Sequence, residues 1–372
     1  MIRRAGLALV APLLALVFAV FVSALFLWLA GASPFEAYSS MLSYGTRSDS
    51  LISTVNRAVP LYISGLAVAI GFKMGLFNIG VEGQYRVAAI TAAAVGAAVT
   101  LPAVLHVALI LVTAMLAGMA WVAIPAILKV TRGVHEVIGT IMMNAISIGL
   151  TAWLLANWLS GDRGASLVLS TDDIPESGRF PTLNPLLEAM GLELRRGSSL
   201  QGFVIIAILL GVIYYVLVWR TRFGYELRAS GINATAALVA GVNSKAMVLK
   251  ALFISGALAG LVGMSQLIGV SPYRYDTDFP PQYGFTGIAV ALLGRNHPVG
   301  IGIGALLFGF MDRSAQILDL EGIPKEIVQI MQGVIVVSVV VAYELVRRYR
   351  LTQEEKTVTH HTDLSPAAEV VA

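Results

Sequence analysis

Apolar runs close to the roughly 20 residues needed to cross a bilayer recur along the chain. They fall at 5–30, 55–72, 84–101, 104–128, 137–159, 200–218, 246–269, 282–294, 299–318 and 324–343, and predict ten membrane helices. The run from Ala5 to Ala30 follows Met1-Ile2-Arg3-Arg4. It is longer than the roughly 7–15 apolar residues of a cleaved signal peptide and carries no clear cleavage site, so it reads as the first membrane helix. Residues 31–54 are amphipathic and are expected on, or dipping into, the membrane surface. Residues 161–199 form one long polar loop with Pro175, Pro181 and Pro185, and the polar tail 351–372 reads as disordered. Residues 1–350 are thus one polytopic domain.

Charge gives the orientation. With the N-terminus inside and ten alternating spans, 14 of the 25 Lys and Arg residues fall on the cytoplasmic side, eight outside and three within spans. The excess is concentrated in short loops, where it counts. Acids collect outside instead, among them Asp162, Asp172, Asp173, Asp276 and Asp278. Both termini are therefore expected in the cytoplasm. Composition agrees: 57% of residues are hydrophobic and 13% charged, against about 25% charged in soluble domains. The absence of cysteine excludes disulfides and thiolate sites. A net charge of +3 gives no argument for nucleic acid.

Three stretches are too glycine-rich or too polar for plain lipid-facing helix. The first, Gly71 to Gln84, holds Asn78, Glu82 and Gln84 among several glycines. Broken backbone at membrane depth is tolerated only where protein or a wet cavity surrounds it. Two readings follow. Asn78, Glu82 and Gln84 belong to a translocation pathway or gate, or the stretch is a tight cytoplasmic turn whose Glu82 is satisfied by local amides. The second, Gly284 to Asn296, is short and glycine-interrupted. Interrupted segments in each half of a transporter point to a midplane pathway between inverted repeats, so two inverted-topology halves are expected. The third, 220–245, lies in a cytoplasmic loop. Asn233 is a suitable N-cap and Gly241 a suitable terminator for a short alanine-rich helix, which either docks into a partner or lies on the membrane surface.

Phe77-Asn78-Ile79-Gly80-Val81-Glu82-Gly83-Gln84, the run Gly224–Gly241 with Ser255-Gly256-Ala257-Leu258-Ala259-Gly260, and Ala291-Leu292-Leu293-Gly294-Arg295-Asn296 together resemble permease subunits of ABC importers of the branched-chain amino acid and ribose type. Within that group the chain is most similar to nucleoside and simple-sugar permeases. Glu136-Val137-Ile138 with Asn144, and Pro175-Glu176-Ser177, are similar too. The resemblance implies an all-α membrane fold of ten helices in inverted halves, working as a pair of permeases around one pathway. It implies that 224–241 contacts a separate ABC ATPase, with Glu226, Arg228, Gly231, Asn233, Ala237 and Gly241 matching the pattern. Asn78, Glu82, Gln84 and Asn144 become pathway candidates. Gln84 resembles one member of a heterodimeric pair, and His135 stands where the pattern has a polar amide.

This chain has no G-x-x-x-x-G-K-[ST] phosphate loop, so ATP is expected on another subunit and no cofactor here. His135-Glu136 opens like a zinc-protease helix, but Gly139 occupies the place of the second histidine, and no metal site is expected. Tyr273, Tyr275, Phe279, Tyr283 and Phe285 read as an interfacial belt or as a stacking surface for a base or sugar. Asp312 and Arg313 read as interhelical pairing groups or as pathway residues. The expected function is that of a permease in the bacterial plasma membrane, taking a purine nucleoside from an extracytoplasmic binding lipoprotein. Sugar or riboflavin-type cargo is the alternative, followed by an ion-coupled secondary transporter and, last, a membrane-embedded enzyme.

Overall fold

The computed structural model describes residues 17–161, 168–191, 197–324 and 326–363. Each expected span coincides with a helix, the first from Val17 onward, since residues 5–16 of the span expected at 5–30 lie outside the described residues. Two form a bent pair, α1 (Val17–Leu29) and α2 (Pro34–Gly45), which turn by 113°. Then come α3 (Ser48–Lys73), α4 (Val81–Ala98), α5 (Ala103–Arg132) and α6 (Glu136–Asn157). The outer loop carries α7 (Asn184–Ala189) and leads to α8 (Phe203–Arg220). Two short helices follow, α9 (Arg222–Ile232) and α10 (Ala234–Val239). The second half holds α11 (Ser244–Gly260), α12 (Met264–Leu267), α13 (Tyr283–Leu293), α14 (Pro298–Leu320) and α15 (Glu326–Asp363). Among the described residues there is no β-strand, only two isolated bridges, Ser170 to Asp276 and Thr182 to Gln201.

Seven helices are long and apolar enough to cross a membrane, eight if the bent pair is one span. α4 and α13 meet neither standard unaided. α4 begins with the polar run Glu82-Gly83-Gln84, and α13 is only 11 residues long. The polar start of α4 is buried in protein, and α13 packs its glycine face on α3 and on Glu82. Two spans differ from expectation. α3 begins at Ser48 rather than 55, since its polar first turns are partnered inside the fold, with Arg313 donating to Asp49 and Ser50. The span expected at 246–269 breaks after Gly260 into α12. The polar stretch after Arg350 does not stop α15, which continues to Asp363. Residues 351–363 lack Gly and Pro, and extending an existing helix needs no new nucleus. Residues 364–372 lie outside the described residues.

Contacts divide the chain into two units, 1–39 with 318–372, and 40–317. The second unit is built around α3, of whose 26 residues fifteen are buried. α8 instead exposes Ile205, Ile208, Leu209, Val212 and Ile213. An apolar surface of this kind is stable against hydrocarbon and not against water.

Within this unit two sets of three helices run in opposite senses. In one set α3, α4 and α5 follow each other; in the other α11, α13 and α14 do. α5 lies antiparallel to α11, with Gly118 facing Gly256 and Gly260 facing Ala114. α3 lies antiparallel to α14, with Gly309 against Thr54 and Ala58, Gly65 against Ile301, and Asp49 paired to Arg313. The first helix of each set therefore packs on the third helix of the other, and the middle helix is the interrupted one. These are the inverted halves that the two broken segments predict.

Without a hydrophobic drive between helices in lipid, such contacts depend on close backbone approach. A Cβ at Gly118 would meet the Gly256 carbonyl and lie 2.9 Å from the Gly260 nitrogen, so both are backbone obstacles that cannot swing away. Gly118→Leu is expected to cost at least the roughly 1–3 kcal/mol of an overpacked core. Gly149→Leu, where a Cβ meets nothing within 4 Å, should be near neutral. Thermal unfolding of the detergent-solubilised chain checks the difference.

Candidate functional site

The first interrupted stretch folds into a loop between α3 and α4, closed by the Leu76 amide on the Gly71 carbonyl and tied to other helices by side chains. Asn78 and Gln84 exchange amide hydrogen bonds, Asn78 Nδ2 to Gln84 Oε1 at 3.1 Å and Gln84 Nε2 to Asn78 Oδ1 at 2.9 Å. Asn78 Nδ2 also donates to Ser255 Oγ of α11 at 2.8 Å, and that hydroxyl donates to the Ala67 carbonyl of α3 at 2.6 Å. From α6, Asn144 Nδ2 donates to the Ile79 carbonyl and Asn144 Oδ1 accepts from the Gly83 amide at 2.8 Å. Glu136 accepts from the Phe77 amide at 3.4 Å and from Lys129 Nζ at 2.5 Å.

Glu82 makes the longest-range tie. In the first turn of α4 and only 4% exposed, it accepts from Tyr85 Oη at 2.9 Å and Arg86 Nε at 3.0 Å. It also accepts from the Gln282 amide at 2.9 Å and the Gly284 amide at 3.0 Å. Those two amides open α13, whose own N-cap residue, Gln282, supplies no side-chain bond. One carboxylate thus caps a helix 200 residues away while sitting at the N-terminus of another. Both helix ends carry positive partial charge, which a carboxylate between them offsets. Gly284 permits the approach, because a Cβ there would run into the Glu82 backbone; at Gly287 it would run into Ser64 of α3.

The tight-turn reading is thereby corrected in one respect. Glu82 is satisfied by amides, but by those of the opposite half rather than of its own turn. Asn78, Glu82, Gln84 and Asn144 come together as one joint, each at most 6% exposed. Residue-type reasoning gave Ser255 no site role and, on α6, named Glu136 and Asn144 but not Thr140, Ser147 and Thr151, which are buried on the same stripe. Their helical spacing was a usable signal. His135 is the N-cap of α6, accepting from the Val137 amide. His106 Nε2 meets the Gly96 carbonyl at 2.9 Å, so that nitrogen is the donor, and Nδ1 meets Ser177 Oγ at 2.8 Å. That contact gives the Pro175-Glu176-Ser177 turn its role, pinning the outer loop to α5.

The coupling-loop residues lie at the far end of α3. Asn233 caps α10 through its Oδ1, which accepts from the Thr235 and Ala236 amides at 3.0 Å. Gly241 follows α10 with φ +82°. Glu226 pairs with Arg222 at 2.7 Å, and the Arg228 guanidinium donates to the Val218 carbonyl, fastening α9 to α8. Ala237 is buried, while Leu238 and Val239 are 63% and 88% exposed and Ile232 is 87% exposed. Gly231 abuts the backbone of Lys73 and Met74, where the interrupted stretch begins, and the Gly231 carbonyl approaches Gly75.

At the other end, the outer loop is stitched to 273–277. The Thr171 amide donates to the Tyr275 carbonyl and the Ile174 amide to the Tyr273 carbonyl, both at 2.9 Å. Burial pushes the Asp276 carboxyl above its ordinary value, against the pull of the Asp278 amide. Tyr275 and Phe279 are buried and stack on each other at 4.9 Å, so these two rings are packing groups rather than an exposed belt. Arg313 bonds Asp49 and Ser50 of α3, the interhelical role foreseen for it.

The model of the family described as branched-chain amino acid transport system / permease component matches residues 50–340. The chain belongs to this permease family. It is 36% identical over 348 residues to the guanosine ABC transporter permease protein NupP of Bacillus subtilis, covering 93% of this chain and 96% of that one. It is 32% identical to the glucose ABC transporter permease protein TsgB13 of Haloferax volcanii, covering 93% and 90%. It is 30% identical to the nucleoside ABC transporter permease protein NupB of Lactococcus lactis, covering 89% and 90%. The permease is a multi-pass membrane subunit of an ABC transport system, and such subunits are not themselves enzymes.

Removing the Glu82 carboxylate strands Arg86 and the two α13 amides together. Glu82→Leu is expected to cost about 3–5 kcal/mol, the usual loss when one partner of a buried pair is deleted. Glu82→Gln keeps one acceptor oxygen and should cost distinctly less. Denaturant titration followed by tryptophan fluorescence checks the order.

Proposed function

We propose that this permease serves an ATP-driven importer in the bacterial plasma membrane and carries a nucleoside, most favourably a purine nucleoside. A separate ABC ATPase binds the α9–α10 segment, with Glu226, Arg228, Gly231, Asn233, Ala237 and Gly241 shaping that contact. A second permease of different sequence completes the pathway, and an extracytoplasmic lipoprotein delivers the solute. Both termini then lie in the cytoplasm. Asn78, Glu82, Gln84 and Asn144 hold the interrupted segments beside the pathway.

The observation that carries this reading is an apolar ridge, Leu238 and Val239 exposed on a capped helix of six residues with Ile232 exposed at the end of α9 before it. Such a ridge suits the groove of a partner protein. The turn beneath it, through Gly231, touches Lys73 and Met74. A push on α10 therefore reaches the Gly71–Gln84 loop directly, and from there Glu82 and the opposite half. Transport by this route needs no covalent chemistry, only two packings whose balance the ATPase shifts. The 32% identity to a glucose permease keeps a simple sugar as the second reading.

Val239→Asp tests the docking, because its exposed position leaves the fold intact, whereas a bulky group at Gly231 would clash with Lys73 and Met74. In the reconstituted complex of both permeases, ATPase and binding protein, guanosine is expected to stimulate ATP hydrolysis and Val239→Asp to lower that stimulation about tenfold or more, the loss of a central apolar anchor. Undiminished stimulation in the variant contradicts the assigned contact. Stimulation by glucose alone replaces the cargo and leaves the mechanism.

A further inference from the structure

A cavity of about 620 Å³ opens beside the first turns of α3, between the outer loop, residues 269–273 and the end of α14. On α3, whose 26 residues span roughly 39 Å at 1.5 Å each, it lies at the end remote from the α9–α10 ridge. Its size falls within the roughly 300–1,000 Å³ of small-molecule sites. Asp49, Ser53, Asn56, Gln201, Tyr273 and Arg313 line it, in contrast to the lipid-facing surface of α8. None of the residues of the Glu82 joint does.

Two features of the walls select a ligand. The charged groups lining the cavity, Asp49 and Arg313, are paired with each other at 3.2 Å. The cavity thus offers no net charge to an ionic solute. Gln201, only 6% exposed, has a fully buried Oε1 without a hydrogen-bond partner among the described residues. A buried acceptor left unpaired is costly, and an O–H or N–H donor from a ligand would relieve it. Gly269, also on the wall, is a small neighbour of that oxygen, and a Cβ there would stand 3.6 Å from it. Asn56 fixes the Gln201 backbone by accepting from its amide at 3.0 Å. Tyr273 adds a ring braced by the Arg179 guanidinium, 4.4 Å from its centroid.

We propose that this cavity is a solute site within the permease, taking a neutral, hydroxyl-rich molecule such as a nucleoside or a sugar, with Gln201 accepting one of its donors. The inference rests on the importer reading for its cargo. Neutral walls exclude a phosphorylated or carboxylated solute, for which an uncompensated buried charge would be required. The site would receive the cargo at the outer end before the α3–α14 and α5–α11 contacts rearrange.

The absence of cysteine from the chain makes the test clean. Ser53→Cys is introduced in the full permease, assembled with its partners in proteoliposomes, and modified with a membrane-impermeant thiol reagent. Guanosine or glucose is expected to slow the modification, and guanosine 5′-monophosphate to leave it unchanged. Adding Gln201→Leu should raise the guanosine concentration for half-protection by about tenfold, the weight of one buried hydrogen bond. The modification rate without solute reports whether that variant keeps the cavity, and Leu101→Cys, between α4 and α5, should show no protection. Absence of protection by either neutral solute, in a complex that imports guanosine, overturns the site. So does equal protection with and without Gln201, or protection by the monophosphate. A complex that imports nothing while Ser53→Cys is still protected refutes the importer reading and retains the site.

Discussion

Two helix N-termini meet inside this protein, and one carboxylate stands between them. Glu82 belongs to the first turn of α4, yet it also caps α13 through the Gln282 and Gly284 amides, with Tyr85 and Arg86 as its other donors. Unpaired, each of these groups would be expensive to hold away from water. Together they leave little unsatisfied, and the arrangement can only form when both halves are in place. The short α13 and the polar start of α4 are tolerable for this reason. Neither could stand in lipid alone, and each is completed by the other.

Around that joint the architecture repeats in opposite senses. α3 runs against α14, and α11 against α5, each contact thinned by glycines so that backbones touch. Close-packed interfaces of this kind shift between discrete arrangements rather than deforming smoothly. The loop from Gly71 to Gln84 connects all three parts of the account. At one end it touches Gly231 beneath the exposed ridge of α10, in its middle it is bonded to α6 and α11, and at the other end it becomes the α4 turn that carries Glu82. An ATPase pressing on α10 would therefore act on the element that holds the halves together.

Much of this was legible in residue order. Hydropathy located the long apolar helices, glycines and polar residues marked the two interrupted segments, and Asn233 and Gly241 framed α10. What escaped was interaction across the chain. The start of α3 was obscured because Asp49 and Ser50 read as polar loop, while their partner, Arg313, comes from more than 260 residues further on. Glu82 could be recognised as a carboxylate needing partners, but nothing near it in sequence names Gln282 and Gly284. Ser255 looked like one small residue in a packing stripe until Asn78 and the Ala67 carbonyl were brought to either side of its hydroxyl. The polar stripe of α6 was visible in principle, since its spacing is helical, and its meaning came only from α4 lying against it. Local propensity speaks for elements, whereas long-range hydrogen bonds identify the joint.

The central claim is that ATP hydrolysis by a partner subunit, and not an ion gradient, drives a neutral solute through this permease. The most direct measurement is uptake of labelled guanosine into proteoliposomes holding the two permeases and the ATPase, with binding protein added at the outer face. Uptake that requires ATP on the ATPase side, and that persists when proton and sodium gradients are collapsed, is the predicted result. Uptake driven by a gradient with the ATPase omitted would contradict the account.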